Sequence, residues 1–200
     1  MALTRLLLLS GGMDSIALAW ELRPALCLTI NYGQRAAAGE IKAAAAVCAA
    51  LGLNHRVMAV DCSAIGSGDM AGTPPSAFSP VPEWWPFRNQ LLITLASALA
   101  IKEGLDTVTI GTVSTDSAHA DGRPEFIELM KQVLRIQEGQ ILLEAPAIST
   151  TTVELCRRSG VPDSILGWAH SCHVGTFGCG SCRGCCKHRE SMRELGFGEY

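Results

Sequence analysis

The chain has 200 residues, of which 48% are hydrophobic and 18% are charged, and its formal net charge is -3. This length and composition are those of one globular domain with its own core, and they exclude an intrinsically disordered chain. The acidic balance disfavours a protein held to nucleic acid mainly by phosphate contacts. No apolar stretch approaches the ~20 residues of a membrane span, and the apolar N-terminal run ends too early for a signal peptide. We therefore expect a cytoplasmic protein without a membrane partner.

Short apolar runs alternate with helical patterns along most of the chain. The predicted elements are, in chain order, strand Arg5–Leu9, helix Asp14–Trp20, strand Ala25–Ile30, helix Ala36–Leu51, strand His55–Val60, helix Leu91–Glu103, strand Thr107–Ile110, helix Pro124–Glu138, strand Gln140–Glu144 and helix Thr152–Ser159. This alternation predicts a doubly wound α/β fold, in which helices cover both faces of a parallel sheet. Ligands of such sheets bind beyond the carboxyl ends of the strands. The Pro- and Gly-rich segment Ser63–Pro86 interrupts the pattern and is predicted to be a lid, a binding loop or disordered.

A glycine-rich turn at Ser10–Ser15, with the sequence Ser-Gly-Gly-Met-Asp-Ser, follows the first predicted strand and opens the first helix. Glycines allow a tight turn and the close approach of a ligand, and a helix N-terminus presents N–H groups to an anion. Asp14 would repel a phosphate, so its predicted task is to bind magnesium or to cap the helix. A turn without any ligand is the alternative. The loop lacks the lysine of the Walker motif and the third glycine of the dinucleotide fingerprint, which excludes both of those sites.

Five of the nine cysteines crowd into residues 172–186. The four whose spacing can close a tetrahedron of thiolates around zinc are Cys172, Cys179, Cys182 and Cys185. In a reducing compartment such clustering favours a metal over disulfides. A four-thiolate site leaves no open position, so the ion is predicted to fold the tail rather than to catalyse. Cys186 is left out as a spare thiol, and His170 and His173 are expected to be exposed polar residues rather than ligands.

The Ser10–Ser15 turn resembles the PP-loop of the ATP pyrophosphatase superfamily, whose pattern is Ser-Gly-Gly-x-Asp-Ser. Four further segments resemble the QueC family of 7-cyano-7-deazaguanine synthases, in family order and over nearly the whole chain. They are Asn31–Arg35 (Asp-Tyr-Gly-Gln-Arg in the family), Pro86–Asn89 (Pro-x-Arg-Asn), Asp121–Phe126 (Asp-Cys-Arg-Pro-Glu-Phe) and the cysteine tail from Trp168 to Cys185. The chain is thus predicted to consist of a PP-loop nucleotide-binding domain, 1–165, and a zinc-binding tail, 166–200, packed on it. The resemblance also implies a homodimer.

In this family ATP adenylates the carboxylate of 7-carboxy-7-deazaguanine, ammonia displaces AMP to give an amide, and a second ATP drives formation of the nitrile. The resemblance therefore implies an ATP-dependent C–N ligase that uses Mg2+ with ATP and binds structural Zn2+. The implied ATP-binding residues are Leu9, Ser10, Gly11, Gly12, Met13, Asp14, Ser15 and Gly111. The implied catalytic residues are Asp14, Arg35, Arg88 and Arg123, since guanidinium groups suit bidentate contact with phosphate or carboxylate. The implied substrate-binding residues are Gln34, Asn89, Asp116, Asp121 and Arg123, with turn capping as the alternative for Asp116.

The segment Gly111–Arg123 departs from the family pattern. It is one residue shorter and lacks both aromatic residues of the family, Gly122 replaces a cysteine, and His119 is new. Aromatic rings near a flat base usually stack on it. Either Trp84 or Trp85 takes over this stacking, or the substrate differs. The alternative role for the two tryptophans is ordinary loop packing.

Three other functions remain open. The chain resembles QueC-like paralogues of antiviral systems, in which an activated deazaguanine carboxylate is joined to a protein amine. It could also be a tRNA-thiolating PP-loop enzyme, which the net charge of -3 disfavours. A zinc-ribbon interaction module with an inactive loop is disfavoured by Asp14 and by the three arginines. Ammonia dependence and a nitrile product distinguish the synthase from the conjugating paralogue.

Overall fold

The structure is a computed structural model, and it describes residues 4–197. Its five strands are β1 (Arg5–Leu8), β2 (Leu26–Asn31), β3 (His55–Ala59), β4 (Thr107–Thr109) and β5 (Leu142–Glu144). They form one sheet in the order β3-β2-β1-β4-β5, and all neighbouring strands are parallel. The chain adds β2 and β3 on one side of β1 and then β4 and β5 on the other, so the strand order reverses between β1 and β4. The predicted doubly wound α/β fold is confirmed.

Eight α-helices accompany the sheet within the described residues. They are α1 (Met13–Leu22), α2 (Ala37–Leu51), α3 (Gly68–Ala71), α4 (Arg88–Glu103), α5 (Pro124–Arg135), α6 (Thr152–Ser159), α7 (Asp163–Leu166) and α8 (Arg183–Glu194). The N-cap of α6 is Thr151, whose Oγ1 accepts from Glu154 N at 3.2 Å. None of these helices is long and apolar enough to cross a bilayer.

Strand β1 separates two apolar cores. Leu6 and Leu8 lie in the cluster that includes the buried faces of α4 and α5. Leu7 and Leu9 lie in the cluster formed with α1, α2, α6 and α7. Successive side chains of a strand point to opposite faces, so a strand covered on both sides is apolar at every position. This explains the uninterrupted leucine run at the start of the chain.

The segment predicted as a lid, a binding loop or disordered is ordered and partly buried. It contains the short helix α3, and Trp85 within it is only 1% exposed. The Trp85 ring contacts the Tyr32 ring edge-on, with centroids 4.9 Å apart and an interplanar angle of 87°. Trp85 therefore packs in the core, so its ring is not accessible for stacking on a substrate. Trp84 is half-buried.

The largest difference from the predicted elements is α8, which the sequence pattern did not indicate. Its first turn is held by a thiol rather than a hydroxyl, because Cys182 is the N-cap and its Sγ accepts from Cys185 N at 3.5 Å. Met192 of this helix is buried in the same apolar cluster as α1 and α6. The division into 1–165 and 166–200 stays a prediction, and its outermost residues, 1–3 and 198–200, lie outside the described range.

Candidate active site

A cavity of about 280 Å³ opens at the carboxyl edge of the sheet, where the strand order reverses. Its wall includes the residues that follow β1, β2 and β4, the first turns of α1 and α4, and one face of α8. This is the place where open α/β sheets bind their ligands. All of the ATP-binding residues predicted from the sequence line the cavity except Gly11.

The turn Ser10–Ser15, here named the phosphate loop, is held in shape by its two serines. The hydroxyls of Ser10 and Ser15 lie 3.2 Å apart, and Ser15 Oγ donates to Gly12 O at 3.0 Å. Gly12 is the N-cap of α1, so the first N–H groups of this helix have no intrahelical acceptor. Because they lie at the cavity, they form an anion site with the positive end of the helix dipole behind it.

Gly11 is required by space as well as by conformation. Its φ is +77°, and an added Cβ would lie 2.7 Å from the backbone oxygen of Glu40 on α2. We expect Gly11→Ala to lower the free energy of unfolding by about 2 to 4 kcal/mol, since left-handed strain alone costs about 1 to 3 kcal/mol. Gly52→Ala is the matched control, because Gly52 has φ +66° but nothing within 4 Å of its added Cβ. Equal losses for the two variants in urea unfolding would contradict the close packing of α2 on the loop.

Asp14 lies at the cavity wall in the first turn of α1. Burial raises the pKa of its carboxyl from 3.8 to about 6, although Lys187 and Thr152 oppose the shift. Within residues 4–197 its Oδ1 atom is buried and has no hydrogen-bond partner. A buried carboxylate oxygen without a partner is costly, and a bound divalent cation would remove that cost.

Arg88 is the predicted arginine that reaches the cavity. Its guanidinium contacts Met70 Sδ and Asn89 Oδ1, both at 3.4 Å, and it forms no ion pair with any described residue. It is therefore available to an anionic ligand. Arg35 and Arg123 are exposed and lie outside the cavity lining, so their catalytic roles stay predictions.

Three predicted substrate-binding residues hold the local backbone, and their roles toward a substrate stay predictions. Asn89 N donates to Asp121 Oδ2 and Asn89 Nδ2 donates to Asp121 O, both at 2.9 Å, which fixes the start of α4. The Gln34 amide accepts from Tyr32 N at 2.9 Å and donates to Ile30 O and Glu40 Oε2. Asn89 also lines the cavity, whereas Gln34 and Asp121 do not.

Asp116 lines the cavity, but both of its oxygens already have partners. Oδ2 accepts from Val113 N at 3.2 Å, which is the turn-capping alternative considered above. Oδ1 lies 3.3 Å from Lys187 Nζ on α8. Its role in recognising the base stays a prediction, and direct contact with a substrate would require it to exchange one of these partners.

One face of α8 forms a wall of the cavity that the sequence pattern did not reveal. The residues of this wall are Gly184, Lys187, His188 and Ser191. Their spacing of three or four residues was the available signal, because it places them on one side of a helix. Lys187 adds a cation to the site, and the sequence pattern did not predict this cation.

The expectation that His170 and His173 are exposed is wrong. Both line the cavity and are half-buried, and burial lowers the pKa of each imidazole. His170 N donates to Gly11 O at 2.8 Å, which ties the tail to the phosphate loop. The ring of His170 fits against Gly39, where an added Cβ would lie 2.5 Å from Nε2.

The four predicted thiols converge. The Sγ atoms of Cys172, Cys179, Cys182 and Cys185 all lie within 4.8 Å of one another, and those of Cys179 and Cys185 are 3.9 Å apart. Four sulfurs in a tetrahedron around zinc at ~2.3 Å are separated by about 3.8 Å. The donor set therefore fits a single metal ion. Backbone N–H groups of Ser181 and Cys182 lower the pKa of the Cys179 thiol to about 6, which favours the thiolate that a metal requires.

An ion pair connects the cysteine tail to the segment that contains Trp85. Arg183 Nη1 lies 2.8 Å from Glu83 Oε1, and the Glu83 side chain is only 6% exposed. Arg183→Met leaves this carboxylate without its cation, so we expect the free energy of unfolding to fall by about 2 kcal/mol. The double variant Glu83→Gln/Arg183→Met should recover at least half of that loss. Arg193→Met, which removes an exposed arginine of the same helix, is the control, and an equal effect of the two single variants would contradict the pairing.

The parallel sheet, the glycine-rich turn after β1 and the carboxyl-edge cavity define an α/β fold of the PP-loop type. The family model described as queuosine biosynthesis protein QueC matches residues 4–196, and the chain belongs to this family. A 7-cyano-7-deazaguanine synthase from Desulforudis audaxviator is 33% identical, over 96% of this chain and 97% of its own. One from Methanoculleus marisnigri is also 33% identical, over 94% and 93%. These relatives are synthases, which are enzymes.

A solved structure with a similar fold is the U34-tRNA thiolase NcsA from Methanococcus maripaludis with its [4Fe-4S] cluster. The match has a TM-score of 0.54 at 14% sequence identity and covers 99% of this chain and 73% of that one. At this identity the likeness shows the fold alone. In a cubane cluster each thiolate binds a different iron atom, whereas the four sulfurs of this chain lie within 4.8 Å of one another, close enough to share one ion.

Proposed function

We propose that the protein is an ATP-dependent 7-cyano-7-deazaguanine synthase that adenylates the carboxylate of 7-carboxy-7-deazaguanine. Ammonia then displaces AMP to give the amide, and a second ATP drives conversion of the amide to the nitrile. One observation supports this most directly: a single cavity is lined both by the phosphate loop and by Arg88. Adenylation requires a nucleotide phosphate and a carboxylate to meet, and these groups provide one anion site for each.

The residues of the cavity have distinct tasks in this proposal. The first turn of α1 and the Ser10 and Ser15 hydroxyls bind the phosphates of ATP. The Arg88 guanidinium binds the substrate carboxylate and orients it toward the α-phosphate. Lys187, which already faces Asp116, adds positive charge where pyrophosphate leaves.

Two metal ions belong to the proposal. Asp14 would hold Mg2+, since its buried Oδ1 has no protein partner, and the ion would supply charge neutralisation at the phosphates. The four cysteines would hold Zn2+, because their sulfurs lie within 4.8 Å of one another, close enough to share one tetrahedral ion. The zinc would be structural, since four thiolates leave no open position.

Joining of the same adenylate to a protein amine is the second candidate. It is favoured by the loop Gly111–Arg123, which contains no Phe, Tyr or Trp. His119 of this loop lines the cavity. Both candidates share the adenylation step and differ only in the nucleophile.

Mass spectrometry of the products formed from ATP, ammonia and 7-carboxy-7-deazaguanine tests the proposal. A nitrile together with AMP is the expected result. AMP formation without nitrile or amide, in the presence of ammonia, would favour the protein-amine candidate. Absence of AMP release with the deazaguanine carboxylate would overturn both candidates and would favour thiolation of tRNA or a purely structural role.

A further inference from the structure

Glu40 is a half-buried carboxyl group of the cavity, and the proposed function gives it no role. It lies in the first turn of α2 and lines the cavity. Its backbone oxygen lies against Gly11 of the phosphate loop, and its Oε2 accepts from Gln34 Nε2 at 2.7 Å. No described residue donates a hydrogen bond to its other oxygen, Oε1. The side chain is thus held by one oxygen and has the second available.

Glu40 interacts with residues of both proposed anion sites. Its main chain supports the phosphate loop, where the α-phosphate of the adenylate would lie, and its charge interacts with Arg88, which would hold the substrate carboxylate. The mixed anhydride formed from these two groups would therefore place its reacting carbon near this carboxyl. The other acidic groups of the cavity are less suitable, because Asp14 faces Lys187 and Asp116 uses both oxygens.

The surroundings of Glu40 also suit it to exchange a proton near neutral pH. Burial raises the pKa of its carboxyl from 4.5 to about 7, while the Gln34 amide and the Arg88 guanidinium lower it. Tyr32 is a further ionisable neighbour, and burial raises the pKa of its phenol above its usual value, so it stays protonated near neutral pH. General bases are most effective when their pKa lies near the working pH.

We propose that Glu40 is the general base that accepts the proton from the nitrogen nucleophile when the adenylate is converted to the amide. The nitrogen lone pair forms the new C–N bond at the acyl carbon, and the C–O bond to AMP breaks with its electron pair leaving on the phosphate oxygen. One N–H proton passes to the Glu40 carboxylate and from there to solvent. This role rests on the proposed function, and it applies equally to ammonia and to a protein amine.

Glu40→Gln is the discriminating variant, because a glutamine oxygen still accepts from Gln34 while the group no longer takes up a proton. Two half-reactions are measured on the same preparation. The first is exchange of labelled pyrophosphate into ATP, dependent on 7-carboxy-7-deazaguanine, which reports adenylation. The second is formation of amide after addition of ammonia. We expect exchange within about twofold of the unsubstituted protein and amide formation slower by about 100-fold or more, as for loss of a general base.

Glu128→Gln, an exposed substitution on α5, is the control and should leave both half-reactions unchanged. Unchanged amide formation in Glu40→Gln would overturn the inference, and so would a loss of exchange as large as the loss of amide formation, since Glu40 would then serve adenylation or the fold. If the unsubstituted protein itself shows no exchange, the proposed function fails, and this result is separate from the two that concern Glu40.

Discussion

Replacing Asp14 with asparagine is expected to lower AMP production by about 1,000-fold or more while leaving the fold intact. The reason is that Asp14 would hold the magnesium that neutralises the phosphates, and such charge stabilisation contributes several kcal/mol to the barrier. The measurement is AMP release with saturating ATP and deazaguanine carboxylate. Asp69→Asn, which changes an exposed carboxylate on α3, is the matched control and should retain full activity.

The same variant is expected to be more stable than the unsubstituted protein at neutral pH in the absence of metal. The pKa of Asp14 is raised from 3.8 to about 6, so the folded protein holds this proton more tightly than the unfolded chain does. The stability associated with the neutral carboxyl is complete below about pH 4 and is lost as the pH rises through 6. The penalty at pH 7 is at most about 3 kcal/mol.

Urea unfolding at pH 4 and at pH 7 tests this second effect. The advantage of Asp14→Asn should be small at the lower pH and largest at the higher one. Full AMP production by the variant would show that the loop is wrongly assigned. Because Asp14 Oδ1 is buried without a hydrogen-bond partner in the described part of the chain, we expect Asp14→Asn to keep its fold and to lose its activity.

Replacing Cys182 with serine is expected to release the metal and to abolish activity together. Cys182 contributes one of the four sulfurs, and it is also the N-cap of α8. Free energies of structural zinc binding are about 10 kcal/mol or more, so loss of one thiolate should unfold the tail rather than loosen it slightly. Because Lys187 and His188 lie on α8, the cavity would lose a wall at the same time.

Metal content by mass spectrometry and AMP release are measured together in this experiment. Cys186→Ser is the matched control, because this thiol is adjacent to Cys185 but lies outside the group of four. It should retain one equivalent of zinc and most of the activity. One full equivalent of zinc in Cys182→Ser would contradict the four-thiol site, and an iron–sulfur absorption spectrum in the unsubstituted protein would contradict zinc.

The fold and the phosphate loop were predictable from the sequence because each depends on local patterns. The buried leucine run, the Ser-Gly-Gly turn and the helix after it are encoded within a few neighbouring residues, and the structure places them as expected. The four-cysteine group was predictable for another reason. Thiolate chemistry and the spacing of the four cysteines restrict which residues can share one metal ion, whatever the conformation of the backbone between them.

The walls of the cavity were not predictable in the same way. A sequence does not reveal which residues contact a substrate and which support the site. The side-chain amides of Asn89 and Gln34 illustrate this, because both already bond to the protein itself. Glu40 and Lys187 were missed because each reaches the cavity through a tertiary contact between distant segments. For Trp85 the structure supports the alternative of ordinary packing over substrate stacking, since its side chain is buried.

The hydrogen bond from His170 to Gly11 joins the cysteine tail to the phosphate loop. A chain without the metal proposed for the four thiols would keep its sheet and its phosphate loop, because all five described strands and this loop lie before the cysteine tail. It would lack the segment that closes the cavity beside that turn. In a cell the number of active molecules would then follow the supply of metal rather than the amount of protein synthesised.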